Sequence, residues 1–291
     1  MEDILRPIYQ ERASQTNTLG VLMIEKKQKE MTVTDTFDSV MLIIVQEAEQ
    51  SVFVKHYTYS GKKAALHIVT ESQLKEWILL GNNKRIFEWL YNGRVLFDRN
   101  EFVDKLKREL KEFPVAQRKQ KMALEFAKLI KRYMDGKAFF ENKHYLDAYN
   151  DIVHSLHHLA RLAVIEKGFH PEVTVWSQVK QIEPEIYKLY VELVNSEETI
   201  EKRLELLFLA SEFLIHSRTQ KSIQQIIDIL LQKDYWSFNE LMQNEELSIY
   251  SVDLGMLFEY LIEKNKVEVI NVETKSPGVF HRYYKVPEKN I

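Results

Sequence analysis

The chain has no cysteine, which excludes disulfides, thiolate metal sites and cysteine nucleophiles and leaves only His, Asp and Glu to hold any metal. Glycine and proline are scarce, eight and six in 291 residues, and no stretch is rich in Gly and Ser. That scarcity suits long helices, and it means that domain boundaries must be read from changes in hydrophobic period rather than from linkers. No apolar run approaches the roughly 20 residues that span a bilayer. Met1 to Gln15 is charged and lacks a signal-type apolar stretch, so a cytoplasmic protein with no membrane partner is expected. A formal net charge of −3 offers no overall attraction to nucleic acid, and such a partner would have to be met by a local patch. Apolar side chains, by contrast, make up 45% of the sequence, enough at this length for more than one core.

Ile4, Leu5 and Ile8 space a first helix over Asp3 to Ser14, with Pro7 tolerated in its opening turns. Four β-branched or aromatic runs follow, Leu19 to Ile24, Val40 to Val45, Val52 to Tyr59 and Ala64 to Val69, and predict one sheet. Glu71 to Leu80 and Lys84 to Tyr91 read as helices, and an Asn92-Gly93 turn leads into a short strand, Arg94 to Phe97. Beyond Pro114 the strands stop. Spacings such as Leu124, Ala127, Ile130, Tyr133 and Leu204, Leu207, Phe208, Ser211 predict a bundle of about five helices, punctuated by Pro171 and Pro184. The pattern then changes to helices over Ile223 to Leu231, Phe238 to Met242 and Val252 to Lys264. Two strands follow, Val267 to Val272 and Val279 to Val286, joined by Ser276-Pro277-Gly278. The expected fold class is α+β multidomain: a mixed sheet with helices over 1–114, a helical bundle over 115–217 and a winged helix-turn-helix over 218–291.

The most informative stretch is Thr34-Asp35-Thr36-Phe37-Asp38, which precedes the apolar strand Val40 to Val45. An acid at a strand's edge can face a cleft while the core holds the strand, which is how two-metal phosphoryl-transfer sites present carboxylates. The pattern resembles the nucleotidyltransferase superfamily that includes polymerase beta and the aminoglycoside nucleotidyltransferases. There a Gly-Ser pair ends a first strand and Asp-x-Asp starts a second. Here Gly20 is followed by Val21, the i+2 partner of Asp38 is Val40, and the strand that carries the family's third carboxylate offers His67. Asn92 to Arg99 is similar to the family's late glycine, apolar strand and Phe-Asp. The helices beyond it resemble the second, substrate-holding domain of the aminoglycoside group, which is related to HEPN modules. The order of all three parts is similar to a bacterial family of nucleotidyltransferase-like proteins that end in a helix-turn-helix. The resemblance implies catalytic acids at Asp35 and Asp38, a nucleotide near Gly20, Asp38 and His67, and a site between the first two domains. Two Mg²⁺ ions need several hard oxygens, and one Asp with a His is a poor cage.

Two polar clusters lie in the helical segment. Asp151, His154, His157 and His158 fall a turn apart on one helix; Asp151, His154 and His158 are read as a polar cleft wall, with Ile152, Leu156 and Leu159 in the core. Arg118, Lys119, Lys121, Lys128, Lys131 and Arg132 make a basic run interrupted by Glu125, of which Arg118 and Lys121 are taken as phosphate-binding candidates. A HEPN-type ribonuclease would need an Arg followed by His four to six residues on, and Arg161 and His170 are too far apart.

From Ser222 to Ile291 there are seven Lys/Arg against eleven Asp/Glu, and the candidate recognition helix carries Asp253, Glu259 and Glu263. That charge repels a phosphate backbone, so a protein-contacting or intramolecular role is expected, with Tyr250, Phe258 and Tyr260 as anchors. The expected function is a catalytically degenerate nucleotidyltransferase-like protein that binds a nucleotide or other partner, with no cofactor required. The alternatives are an active Mg²⁺-dependent nucleotidyltransferase acting on a small hydroxylated acceptor, and a winged-helix transcriptional regulator.

Overall fold

Every side chain of β2 (Ser39–Val45) is buried, and β1 (Thr18–Glu25) beside it is nearly so, which places these two strands at the centre of a five-stranded sheet. The computed structural model describes residues 2–26, 32–81, 83, 85–250 and 253–288. With β3 (Val52–Tyr59), β4 (Lys62–Thr70) and β5 (Arg94–Asp98) the strand order is β3-β4-β2-β1-β5. Among the described residues of this sheet, β2 pairs with β4 in parallel and the other pairs are antiparallel. Burial on both faces explains why β2 reads as a continuous apolar run rather than an alternating one.

One face of the sheet packs Val21, Met23, Met41 and Ile43 under α1 (Glu2–Ser14), which supplies Leu5, Ile8 and Tyr9. The other face packs Leu22, Leu42 and Ile44 under α2 (Glu71–Leu80), α3 (Ile86–Asn92) and α4 (Phe102–Glu112). α4 is an element that the sequence pattern above does not include. It buries Val103, Leu106 and Leu110, one per turn, and its start is fixed by Asp98, whose two carboxylate oxygens accept the N–H groups of Val103 at 2.9 Å and Asp104 at 3.2 Å. The expected helix starts at Lys84 and Val252 lie outside the described residues.

By contacts, residues 1–114 form one compact unit and 115–291 a second. The second holds α5 (Val115–Glu141), α6 (Tyr145–Glu166), α7 (Val175–Ile182), α8 (Pro184–Asn195) and α9 (Ile200–Ser222). α5 and α6 run antiparallel and come close at Gly136, where an added Cβ would lie 3.3 Å from Asp151 Cβ and 3.5 Å from Ala148 O. α9 is tied to α6 and to the α7–α8 junction by the buried Arg218, which bonds Glu166 at 3.1 Å and also pairs with Glu183. The expected boundary at 217–218 falls inside α9.

After α9 come α10 (Gln224–Leu230), β6 (Trp236–Ser237), α11 (Phe238–Gln243), α12 (Leu254–Glu263), β7 (Glu268–Glu273) and β8 (Phe280–Lys285), with strand order β6-β8-β7. This is the winged helix. α11 starts on a capping box in which Ser237 and Glu240 each bond the other's backbone N–H. No helix among the described residues is long and apolar enough to cross a membrane.

A Cβ at Gly20 would sit 2.2 Å from Val103 Cγ2, so this glycine lets α4 lie against β1. Gly20→Ala should cost about 1–3 kcal/mol by urea unfolding. The double variant with Val103→Ala should lose less than the two single losses added; strict additivity would show that the contact is not the cause.

Candidate functional site

Asp35 and Asp38 stand on the turn before β2. Asp35, in the left-handed region with φ 54°, receives both guanidinium nitrogens of Arg85 on its two carboxylate oxygens. Asp38 Oδ2 accepts the backbone N–H of Lys63 at 2.7 Å, while its own N–H donates to Lys63 O at 2.9 Å, so this side chain locks the start of β2 to β4. His67 lies opposite Leu42 and Val54 in the sheet, its ring 4.9 Å from that of Trp89. Burial holds its pKa below the ordinary imidazole value; His56 and Arg85 add to this by repulsion, and Asp35 works against it. His56 pairs with Ala65, two residues before His67, and so shares its face of the sheet. Gly20 is buried within β1, where its missing side chain makes room for Val103.

The family resemblance implies two divalent cations among these groups. The residues present do not fit them: Asp35 is engaged by a guanidinium, Asp38 by a backbone N–H, and His67 is a hindered, half-buried imidazole. No three His, Asp or Glu among the described residues stand together in a way that could hold a metal ion.

The second unit contains a buried charged cluster on the facing sides of α5 and α6. Glu125 is 1% exposed; Arg161 Nε donates to one carboxylate oxygen at 2.9 Å, and His158 Nδ1 lies 2.9 Å from the other. Burial alone would raise the pKa of Glu125, but the His158 hydrogen bond and the Arg161 charge outweigh it and hold the carboxyl well below the usual range. An ionised carboxylate only accepts, so His158 Nδ1 carries the proton. One helical turn earlier on α5, Lys121 is 2% exposed, and its pKa is brought down from 10.5 to about 7 by burial and by Arg161, with Glu125 opposing. Asp151, also buried, accepts from Arg132 Nη1 at 2.7 Å. His154 is exposed, and Arg118 reaches the end of α6, where a Cβ on Gly168 would meet its Nη1 at 3.2 Å. Next to His158, the His157 ring centre is 6.2 Å from that of Trp176, which stacks on Tyr190 at 4.3 Å and 12°.

Of the residues expected from sequence, the structure brings together Lys121 and His158 in one cluster, and it joins Asp35 to a partner the sequence did not indicate. Arg85 is 50 positions from Asp35, and no spacing rule links them. Glu125 and Arg161 had a signal. A single acid inside a basic run, and an arginine three residues after a histidine on one helix, are each what a buried ion cluster needs.

The comparisons with known proteins agree with this architecture. Residues 1–118 match the nucleotidyltransferase-like family model, 119–218 the YgxA-like substrate binding domain, and 224–286 a helix-turn-helix domain. The uncharacterized protein YgxA of Bacillus subtilis (strain 168) is 55% identical over 284 residues, which is 98% of this chain and 97% of that protein. The chain belongs to the nucleotidyltransferase-like family that includes YgxA. The crystal structure of a nucleotidyltransferase-like protein from Exiguobacterium sibiricum 255-15 superposes with a TM-score of 0.85 at 38% identity, covering 98% of this chain and 99% of that one.

Within this family's helix-turn-helix part, α12 is used inwards. Tyr250 OH, just before it, donates to Gln120 O of α5 at 3.2 Å. Tyr260 lies 3.1 Å from Thr219 Oγ1 of α9, and its ring is 6.0 Å from that of Phe126. Phe258 packs instead against Phe238 and Tyr284 inside the winged helix. The exposed positions Gly255, Glu259 and Glu263 form the outer strip of α12.

Glu125→Gln removes the shared anion while leaving Arg161 and His158 in place. It should cost about 3 kcal/mol or more at neutral pH. The folded carboxyl is depressed, so the wild type's advantage is full above its unfolded pKa near 4.5 and shrinks as pH falls below it. Urea unfolding of both proteins from pH 7 down to pH 3 measures this; a difference that grows on acidification would contradict it.

Proposed function

We propose that this protein binds a phosphorylated small molecule, a nucleotide in its simplest form, at the α5–α6 cluster of its substrate-binding domain, and performs no two-metal transfer. The observation that carries this reading is the burial of Lys121 beside Arg161, His158 and Glu125. Burying a lysine next to an arginine costs stability, and a protein that keeps such an arrangement gains by it when an anion arrives. Glu125 orients Arg161 and His158, as a positioning carboxylate does for groups that meet a ligand. The Trp176–Tyr190 stack, reached through His157, supplies flat apolar area of the kind a nucleobase uses. The first unit supplies a nucleotidyltransferase fold whose acids are engaged within the protein. The winged helix acts as an intramolecular and protein-contacting part rather than a DNA reader, because Tyr250 and Tyr260 are spent on α5 and α9, Phe258 on its own core, and its outer strip carries Glu259 and Glu263.

The test is calorimetric titration of ATP and of pyrophosphate into the full chain at low ionic strength, with Lys121→Met beside the wild type. Lys121→Met should raise folding stability by about 1 kcal/mol or more, since it removes a charge that the fold disfavours. The same variant should weaken binding at least tenfold. The stability gain should be largest below about pH 7, shrink as pH rises towards 10.5 and vanish above it, where the lysine is neutral in both states. No binding by the wild type, or binding unchanged in Lys121→Met, would overturn the proposal.

A further inference from the structure

The first unit gathers N–H donors where the nucleotidyltransferase resemblance implies carboxylates. Where the resemblance calls for several carboxylates, the face of the sheet beyond β2 carries His56, His67 and Arg85 together with the one acid Asp35. His67 is the common neighbour: His56 shares its sheet face, and His56, Arg85 and Asp35 all act on its charge. The His67 ring is set by Trp89, itself fixed by the bond from its Nε1 to Val33 O at 2.7 Å, and the His56 ring lies 4.6 Å from that of Phe37. A guanidinium has five N–H donors in a rigid fork. Asp35 takes two, and the Arg85 side chain is 35% exposed, so the remaining donors are accessible while the carboxylate holds the fork in place.

We propose that this face is a donor-lined counterpart of the nucleotidyltransferase site, in which Arg85, His56 and His67 receive a phosphate-type anion directly through their N–H groups, with no divalent cation. In the parent chemistry a divalent ion bridges protein carboxylates and ligand phosphates, because the two are both anionic. With imidazoles and a guanidinium in place of the carboxylates, no bridge is required. A metal ion bound to the phosphates then competes for the same oxygens. Asp35 is a positioning residue here, and Asp38, locked onto Lys63, takes no part.

This inference goes beyond the α5–α6 reading, and variants separate the two. Inorganic phosphate, pyrophosphate and ATP are titrated by calorimetry in EDTA and again with MgCl2, using the wild type, Arg85→Gln, His56→Gln and Lys121→Met. Manganese binding without ligand is followed by electron paramagnetic resonance. The expected result is binding in EDTA at least as strong as with Mg²⁺, weakened at least fivefold by Arg85→Gln and by His56→Gln, and no Mn²⁺ bound by the wild type. His56 is exposed, so its variant tests the site without risk to the fold. The three probes distinguish a site for one phosphoryl group from one that needs a chain of them or a nucleoside. Binding that requires Mg²⁺, a bound Mn²⁺ lost on Asp35→Asn, or affinities indifferent to both Arg85→Gln and His56→Gln would overturn the proposal. In the last case a loss confined to Lys121→Met leaves the α5–α6 reading standing; a loss confined to Arg85→Gln and His56→Gln, with Lys121→Met unchanged, is the opposite outcome and supports this site against that reading.

Discussion

Glu125 is the constraint around which the second unit is arranged. A carboxylate at 1% exposure must have its charge matched in place, and here Arg161 and His158 of α6 do so from the helix opposite. That requirement fixes the register of α5 against α6, with Arg132 bonded to Asp151 and Gly136 against Ala148 continuing the same antiparallel pairing further along. α9 and the winged helix then build on this pair: Tyr133 of α5 meets Phe208, Tyr250 reaches Gln120, and Tyr260 meets Phe126. A buried ion cluster is a weak source of stability, because desolvation offsets most of the Coulombic gain. Its value lies in specificity of pairing and in the chemistry it makes available.

The first unit is organised by a different force. Its central strands are apolar on both faces, and its polar residues are pushed to the turn before β2 and to the outer strands. There the family's metal-binding acids would stand. Asp38 closes the start of β2 onto β4 instead, and Asp35 holds Arg85. What this edge presents is the Asp35–Arg85 pair with His67 beside it.

Much of this was legible from the residues. β-branched and aromatic content marked the strands Val40 to Val45 and Val52 to Tyr59, and hydrophobic period marked the helices on either side of Pro184. α4 is missing from the pattern-based reading although Val103, Leu106 and Leu110 stand one per turn against a charged face, because the acid that fixes its start, Asp98, lies upstream and reads as the end of a strand. The winged helix could be recognised by element order, and its acidic balance argued against DNA. The inward use of Tyr260 depends on α9, which no local pattern reveals. At the candidate sites, residue types were readable and partners were not: Asp35 with Arg85, and Glu125 with both His158 and Arg161, are pairings across 50, 33 and 36 positions. Such contacts are set by helix docking, after local propensity has done its part.

The proposed anion site implies a Lys121 whose charge is suppressed in the free protein and regained when an anion binds. Carbon-13 NMR of the lysine side chains, with Lys121 assigned by its absence from Lys121→Met, reads this directly. The expected result is a titration midpoint near 7 in the free protein, displaced upward on saturation with pyrophosphate. A midpoint at the ordinary lysine value of 10.5, unmoved by the ligand, would contradict it.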